Sequence, residues 1–144
     1  MTKLFAIIGE PIAQARSPEV FNRLFEERGV DAHMAPMLVK ASGVAQSLAG
    51  LRAIENMAGL IITAPHKAAA ARMLKSTSER VRISGVVNAL RPCTGGWEGD
   101  LFDGEGFARG MEAGGHALNG ARCALVGCGG AAFAYVTGPR EAGR

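Results

Sequence analysis

Short apolar runs alternate with helical patterns along this chain, and that alternation constrains the fold more than any other feature. Residues 3–8 ("KLFAII") carry a continuous apolar run after Lys3, and residues 60–62 are also apolar at successive positions, as in strands buried on both faces. Residues 32–39 form another candidate strand. Each run is followed by a segment with apolar residues at helical spacing. The order strand, helix, strand predicts an α/β protein, with a mainly parallel sheet flanked by helices.

Capping and turn residues set the remaining boundaries. Ser17 followed by Pro18 predicts a helix start with Ser17 as its N-cap, and Gly29 predicts its end. Further helices are expected along the face formed by Val44, Leu48, Leu51 and Ile54, and over residues 65–74 and 103–115. Short strands are expected over residues 85–92, 95–100 and 121–126.

Composition excludes several classes of function. The 144 residues are 48% hydrophobic and 20% charged, which is ordinary for a globular protein. The net charge is +3, but the basic residues are dispersed, so nucleic-acid binding is not expected. No apolar stretch approaches the roughly 18 residues of a membrane span, and no secretory signal pattern is present, so a cytoplasmic location is expected. The three cysteines lack CxxC spacing and the three histidines lie far apart, so neither a metal site nor a disulfide scaffold is expected.

The segment "GLIITAPHK", residues 59–67, places a histidine and a lysine where a buried strand turns into a helix. Ligands of α/β proteins bind beyond the carboxyl ends of the strands. A lysine in the first turn of a helix also opposes the helix dipole, so this position is slightly unfavourable for a purely structural lysine. The local pattern leaves both a functional role for Lys67 and simple solvation of the helix start open.

The segment "VGCGGAA", residues 126–132, puts three glycines after an apolar run, as in turns that wrap a pyrophosphate against a helix N-terminus. It is not a complete GxGxxG motif, and a tight structural turn is an equal alternative. A dinucleotide fold needs further strands and an acidic residue about 20 positions on. We therefore expect this chain alone not to build a complete NADP site.

Five segments in order resemble the shikimate dehydrogenase family: "GEPIAQARSP" (9–18), "GLIITAPHK" (59–67), "GVVNAL" (85–90), "WEGDLFDGEGF" (97–107) and "VGCGGAA" (126–132). The resemblance covers about residues 4–132. It implies a substrate-binding domain over residues 1–103, a connecting helix over 104–120, and a truncated start of a Rossmann-type NADP-binding domain over 121–144.

The resemblance also implies the functional residues. Lys67 and Asp103 match the catalytic pair that handles the hydroxyl proton while a hydride moves to or from NADP. The remaining matches are substrate contacts at Ser17, Thr63 and Asn88 and a phosphate turn at Gly127, Gly129, Gly130 and Ala131. The implied activity is that of an NADP-dependent oxidoreductase of aromatic amino acid biosynthesis, acting on the hydroxyl or ketone of a small cyclic acid. For Asp103 alone, a helix cap is the alternative.

Four positions depart from the family pattern by being apolar where the family is polar: Ala15, Ile61, Leu101 and Phe102. Loss of several hydrogen bonds, each about 0.5–1.5 kcal/mol, predicts a substrate less hydroxylated than shikimate. The alternatives are that Ile61 points into the core, that Phe102 fills space and that Asn88 is a turn residue.

Two expectations concern the molecule as a whole. A non-catalytic small-molecule binding module or a truncated fragment is the alternative to the enzyme. The apolar stretch over residues 121–136 is expected to drive homo-oligomerisation, because an uncovered hydrophobic strand edge pairs readily with another chain.

Overall fold

The computed structural model describes residues 1–127, 129, 130, 132 and 134, and its centre is one six-stranded sheet. The strands are β1 (Lys3–Gly9), β2 (Ala32–Leu38), β3 (Met57–Ile62), β4 (Ser76–Thr77), β5 (Ala89–Cys93) and β6 (Gly96–Asp100). The α-helices are α1 (Ser17–Glu27), α2 (Val44–Arg52), α3 (Lys67–Ala71), α4 (Glu79–Ser84) and α5 (Asp103–Ala113), and a 3-10 turn spans Ala41–Gly43. Within the described part of the chain, no helix has the length and apolar character needed to span a bilayer.

The sheet order is β2-β1-β3-β5-β6-β4, and its pairing is mainly parallel, as the sequence predicted. β1 pairs in parallel with both β2 and β3, and β4 pairs in parallel with β6. β5 is antiparallel to both of its neighbours, β3 and β6, and a tight turn at Thr94-Gly95 joins it to β6. The α/β fold class is thereby confirmed.

The core lies on one face of the sheet. Alternation along β1 and β3 places Ala6, Ile8, Leu60 and Ile62 on that face, where α2 covers them with buried side chains. On the opposite face Phe5 stacks on Phe25 of α1, with ring centroids 5.4 Å apart. Helices therefore flank both faces, as expected for a largely parallel sheet.

The segment after β3 differs from the sequence prediction of one helix over residues 65–74. α3 ends at Ala71, and the chain turns into β4 and then α4. Pairing with β6 stops the helix, because the Lys75 amide donates to Trp97 O at 2.9 Å. Ser78 then caps α4 by accepting from the Val81 amide. These are tertiary contacts, which local periodicity does not reveal.

Three further boundaries were predicted wrongly. Residues 121–127 form no strand; Leu125 is half exposed and Val126 is 98% exposed. A strand needs a neighbour for its backbone groups, and no described strand lies beside this segment. Arg16, rather than Ser17, is the N-cap of α1, and its side chain makes no capping bond. β5 begins only at Ala89, after a loop that buries Val86 and Val87.

Candidate active site

The carboxyl ends of β1 and β3 lie side by side at one edge of the sheet. Their register pairs Ile8 with Ile62, and the Thr63 amide continues the pairing by donating to Ile8 O at 3.0 Å. Gly9 permits this approach, because a Cβ there would overlap the Thr63 methyl and lie 3.0 Å from Ala64 O. The chain after both strands is therefore held in a compact arrangement at this edge.

His66 and Lys67 occupy different environments at the start of α3. His66 is 1% exposed, and its Nε2 lies 2.6 Å from Val39 O, so it joins the α3 start to the segment after β2. The Lys67 side chain is 15% exposed and points to the other side of the edge, where it meets α5. Neither residue merely solvates a helix start.

Lys67, Asn88 and Asp103 form one hydrogen-bonded cluster, which we call the lysine cluster. Lys67 Nζ forms an ion pair with Asp103 Oδ2. Asn88 Nδ2 donates to the second carboxylate oxygen, Oδ1, at 2.7 Å. Asp103 is the first residue of α5, but it makes no capping bond to its own helix. Both of its oxygens instead face the other two members of the cluster.

Asn88 is fixed by neighbouring strands before its side chain reaches Asp103. Its carbonyl accepts from the Ile62 amide at 2.8 Å, and its amide donates to Asp100 O at 3.1 Å. Its side-chain Oδ1 accepts from the Phe102 amide at 2.9 Å. Asn88 therefore orients the carboxylate while one hydrogen of its Nδ2 group stays available to a ligand. It is more than a strand-end turn residue.

Thr63 directly follows β3 at this sheet edge, and Ser17 is the first residue of α1, the helix that follows β1. Both are half-buried, and neither side chain hydrogen-bonds to the lysine cluster in the described part of the molecule. The cluster thus unites three of the five predicted catalytic and substrate-contact residues. Contact of Ser17, Thr63 and Asn88 with a substrate stays a prediction.

The four apolar departures do not share one environment. Leu101 is 2% exposed and packs in the main core, so its interpretation as a lost polar contact of the substrate pocket is wrong. Phe102 is 46% exposed, and the Arg80 guanidinium lies over its ring at 5.4 Å from the centroid. Ile61 and Ala15 are half-buried. Ile61 lies two residues before Thr63 and therefore faces the same side of β3.

Sequence inspection missed the residues that hold α5 beneath the cluster. Arg80 Nη1 donates to Glu105 Oε2 at 2.7 Å and to Leu101 O at 3.3 Å. Arg109 pairs with the other Glu105 oxygen at 2.5 Å. The i,i+4 spacing of Glu105 and Arg109 could have indicated the second contact. The first could not be found from sequence, because α4 itself was not predicted.

The predicted phosphate turn is described only in part. Gly127 has φ +107°, which favours glycine, and a Cβ at Gly127 or Gly129 would meet no atom of a described residue beyond its chain neighbours within 4 Å. Ala131 lies outside the described residues. These glycines fit a turn open to a phosphate. The described residues do not include the strands or the ribose-binding carboxylate that a whole dinucleotide site needs.

Comparison with known proteins gives this site a context. The sequence profile of the shikimate dehydrogenase substrate binding domain matches residues 7–90. The chain belongs to the shikimate dehydrogenase family. This confirms the family resemblance inferred from the five sequence segments.

Relatives named shikimate dehydrogenase (NADP(+)) support the same assignment. The protein from Salinibacter ruber is 37% identical over 138 residues, which cover 95% of this chain and 48% of that protein. The one from Anaeromyxobacter dehalogenans (strain 2CP-C) is 38% identical over 133 residues, which cover 92% of this chain and 47% of that protein. The chain thus spans about half the length of the curated relatives it matches.

Solved structures of known proteins share the fold. Shikimate 5-dehydrogenase from Thermus thermophilus, in complex with NADP(H) and shikimate, superimposes with a TM-score of 0.89 at 28% identity, covering 99% of this chain and 53% of that one. The ligand-free 5-ketofructose reductase of Gluconobacter superimposes with a TM-score of 0.74, also at 28% identity. The superposition covers 78% of this chain and 40% of that one.

Proposed function

We propose that this chain provides the substrate-binding and proton-transferring half of an NADP-dependent oxidoreductase, which interconverts a hydroxyl and a ketone on a small cyclic acid. The observation that carries this proposal is the lysine cluster. A lysine ammonium and a carboxylate are paired at the carboxyl edge of the sheet, where α/β proteins bind ligands.

The cluster suits proton transfer to a carbonyl oxygen. In the reductive direction the carbonyl carbon gains a hydride while its oxygen gains a proton, and the Lys67 ammonium is positioned to donate that proton. Asp103 holds the ammonium in place through their ion pair, while Asn88 holds the carboxylate. In the oxidative direction Lys67 starts as the neutral amine, takes up the hydroxyl proton and becomes the ammonium. NADP, when bound, supplies or accepts the hydride.

The substrate proposed for this site is less hydroxylated than shikimate. Support comes from Ala15, Ile61 and Phe102, which present methyl, branched alkyl and aromatic groups where the family pattern is polar. Phe102 directly precedes Asp103 in the chain and is half exposed. A family-fold structure named for 5-ketofructose reduction is consistent with substrates other than shikimate being used on this scaffold.

A chimera tests the function directly. The first 120 residues of this chain would be joined to the C-terminal half of the Salinibacter ruber relative, and NADPH formation would be followed with shikimate and with analogues that lack one ring hydroxyl. We expect turnover, with higher kcat/KM for a deoxy analogue than for shikimate. Lys67→Met should lower kcat at least a hundredfold, because it removes the proton donor.

Two outcomes would contradict the proposal. A chimera that binds these acids by calorimetry but turns over none of them would indicate a non-catalytic binding module. Equal turnover by the chimera and its Lys67→Met variant would remove Lys67 from the chemistry. Circular dichroism of both proteins controls for folding.

A further inference from the structure

A cavity of about 550 Å³ lies away from the lysine cluster, between α2, the segment after α3 and the turn of the β5–β6 hairpin. Asn88 and Asp103 flank the open end of this hairpin, whereas the cavity lies at its turn. At about 3.3 Å per residue, the five residues of β5 separate the two places by about 17 Å. The cavity is therefore not part of the candidate active site.

The walls of the cavity are mainly apolar and well fixed. Trp97 is 4% exposed, and its indole Nε1 donates to Leu48 O at 2.9 Å, so one ring edge is anchored in α2. Met73 and Leu74 form the wall on the side of α3. The volume falls in the range of pockets that hold small molecules, and such pockets are lined largely by apolar and aromatic groups.

Two cations lie at the rim, and neither forms an ion pair with an acidic side chain in the described part of the chain. Arg52 uses its guanidinium to donate to Gly96 O at 3.0 Å and Cys93 O at 2.9 Å, both neutral carbonyls. Lys75 is exposed, and its backbone is fixed by the bond to Trp97 O. Among the described residues, the ion pairs involve other basic side chains and leave these two positive charges uncompensated.

We propose that this cavity binds a small organic anion with a flat apolar body, such as an aromatic carboxylate. The ring would lie against Trp97 and the Met73–Leu74 wall, and the carboxylate would face Arg52 and Lys75. Arg52 has donors left after its two carbonyl bonds, because a guanidinium carries five N–H groups. The fixed indole and the fixed hairpin turn reduce the ordering cost of binding.

Trp97 is the only tryptophan of the chain, so it provides an unambiguous probe. The ¹⁵N-labelled chain would be titrated with 2-naphthoate while its single indole N–H resonance is followed. The matched neutral compound is 2-naphthamide. We expect a saturable shift with the acid and at least fivefold weaker binding of the amide.

Charge variants test the assignment of the anion to the rim. Lys75→Gln and Arg52→Gln should each weaken naphthoate binding at least threefold. Lys40→Gln is the control and should leave naphthoate binding unchanged. It removes an exposed lysine that lies after β2, at the edge of the sheet that carries the lysine cluster. The indole resonance of each unliganded variant shows whether the cavity has kept its structure.

Three results would overturn the proposal. The first is the absence of a saturable shift of the indole resonance up to 10 mM naphthoate, a concentration on the order of 100-fold above a dissociation constant of about 0.1 mM. The others are equal binding of the acid and the amide, and displacement of naphthoate by excess shikimate. The last result would place the probe at the lysine cluster. Because these readouts do not depend on turnover, they can fail while the proposed enzymatic function stands.

Discussion

At the scale of single residues, Asn88 shows how a polar side chain is used to position a charged one. Its amide group bridges the Asp103 carboxylate and the Phe102 backbone, while its own backbone is bonded to the neighbouring strands. The carboxylate therefore has a fixed direction relative to Lys67 even before a ligand arrives. Such preorganisation lowers the cost of aligning a proton donor with its acceptor.

Replacing Asn88 should therefore cost stability as well as function. We expect Asn88→Ala to lower the free energy of unfolding by about 1–3 kcal/mol, because Asp103 Oδ1 and the Phe102 amide both lose a partner. Urea denaturation measures the change. The matched control is Asn56→Ala, which removes one exposed bond to Thr2 O and should cost less than about 1 kcal/mol. Equal losses of unfolding free energy in the two variants would show that the Asn88 hydrogen bonds to Asp103 and to the Phe102 amide stabilise the fold no more than one exposed hydrogen bond does.

Leu101 and Phe102 are adjacent apolar departures whose substitution should destabilise the fold to different extents. Leu101→Asn places an amide in the main core and should cost roughly 2–4 kcal/mol of unfolding free energy. Phe102→Thr changes a half-exposed ring and should cost less than about 1.5 kcal/mol, mainly through the lost contact with Arg80. Thermal unfolding of both variants checks this. A larger loss for Phe102→Thr would contradict the assigned environments.

At the scale of elements, the strand ends determine the site, and these were largely visible in the sequence. The apolar run ending at Ile62 placed Lys67 at the carboxyl edge of the sheet correctly, because strand-to-helix transitions carry a local signal. Pairing of Lys67 with Asp103 came only from the resemblance to a family. The burial of Leu101, the bonds of Asn88 and the existence of α4 depend on contacts between β5, β6 and α4, which local patterns do not encode.

Gly9 tests the importance of close packing between the ends of β1 and β3. A methyl group there would overlap Thr63, so Gly9→Ala should lower the free energy of unfolding by roughly 1–3 kcal/mol. Gly50→Ala in α2 is the matched control, because no described residue outside that helix has an atom within 4 Å of the added carbon. It should raise the free energy of unfolding by about 0.5–1 kcal/mol. Chemical denaturation of the pair gives both values. A neutral Gly9→Ala would show that Thr63 can move without cost.

At the scale of the whole molecule, residues 121–127 stand apart from the sheet, and they expose Leu125 and Val126. Exposed apolar segments with free backbone groups favour contact with another chain. We expect sedimentation at high micromolar concentration to detect association that is reduced by the double change Leu125→Ser and Val126→Ser. Ile83→Ser changes another exposed apolar residue, on α4, and should leave the association unchanged. A monomer at all concentrations would contradict this expectation.

The most direct test of the central claim is a calorimetric titration of shikimate into three forms of this chain. The parent should bind weakly, and the variant with Ala15→Ser, Ile61→Asn and Phe102→Thr should bind at least about tenfold more tightly, since each restored hydrogen bond adds about 1 kcal/mol. Adding Lys67→Met to that variant should abolish most of the gain. A parent that already binds shikimate as tightly as the variant would contradict the shifted substrate. A gain that survives Lys67→Met would contradict the placement of the substrate at the lysine cluster.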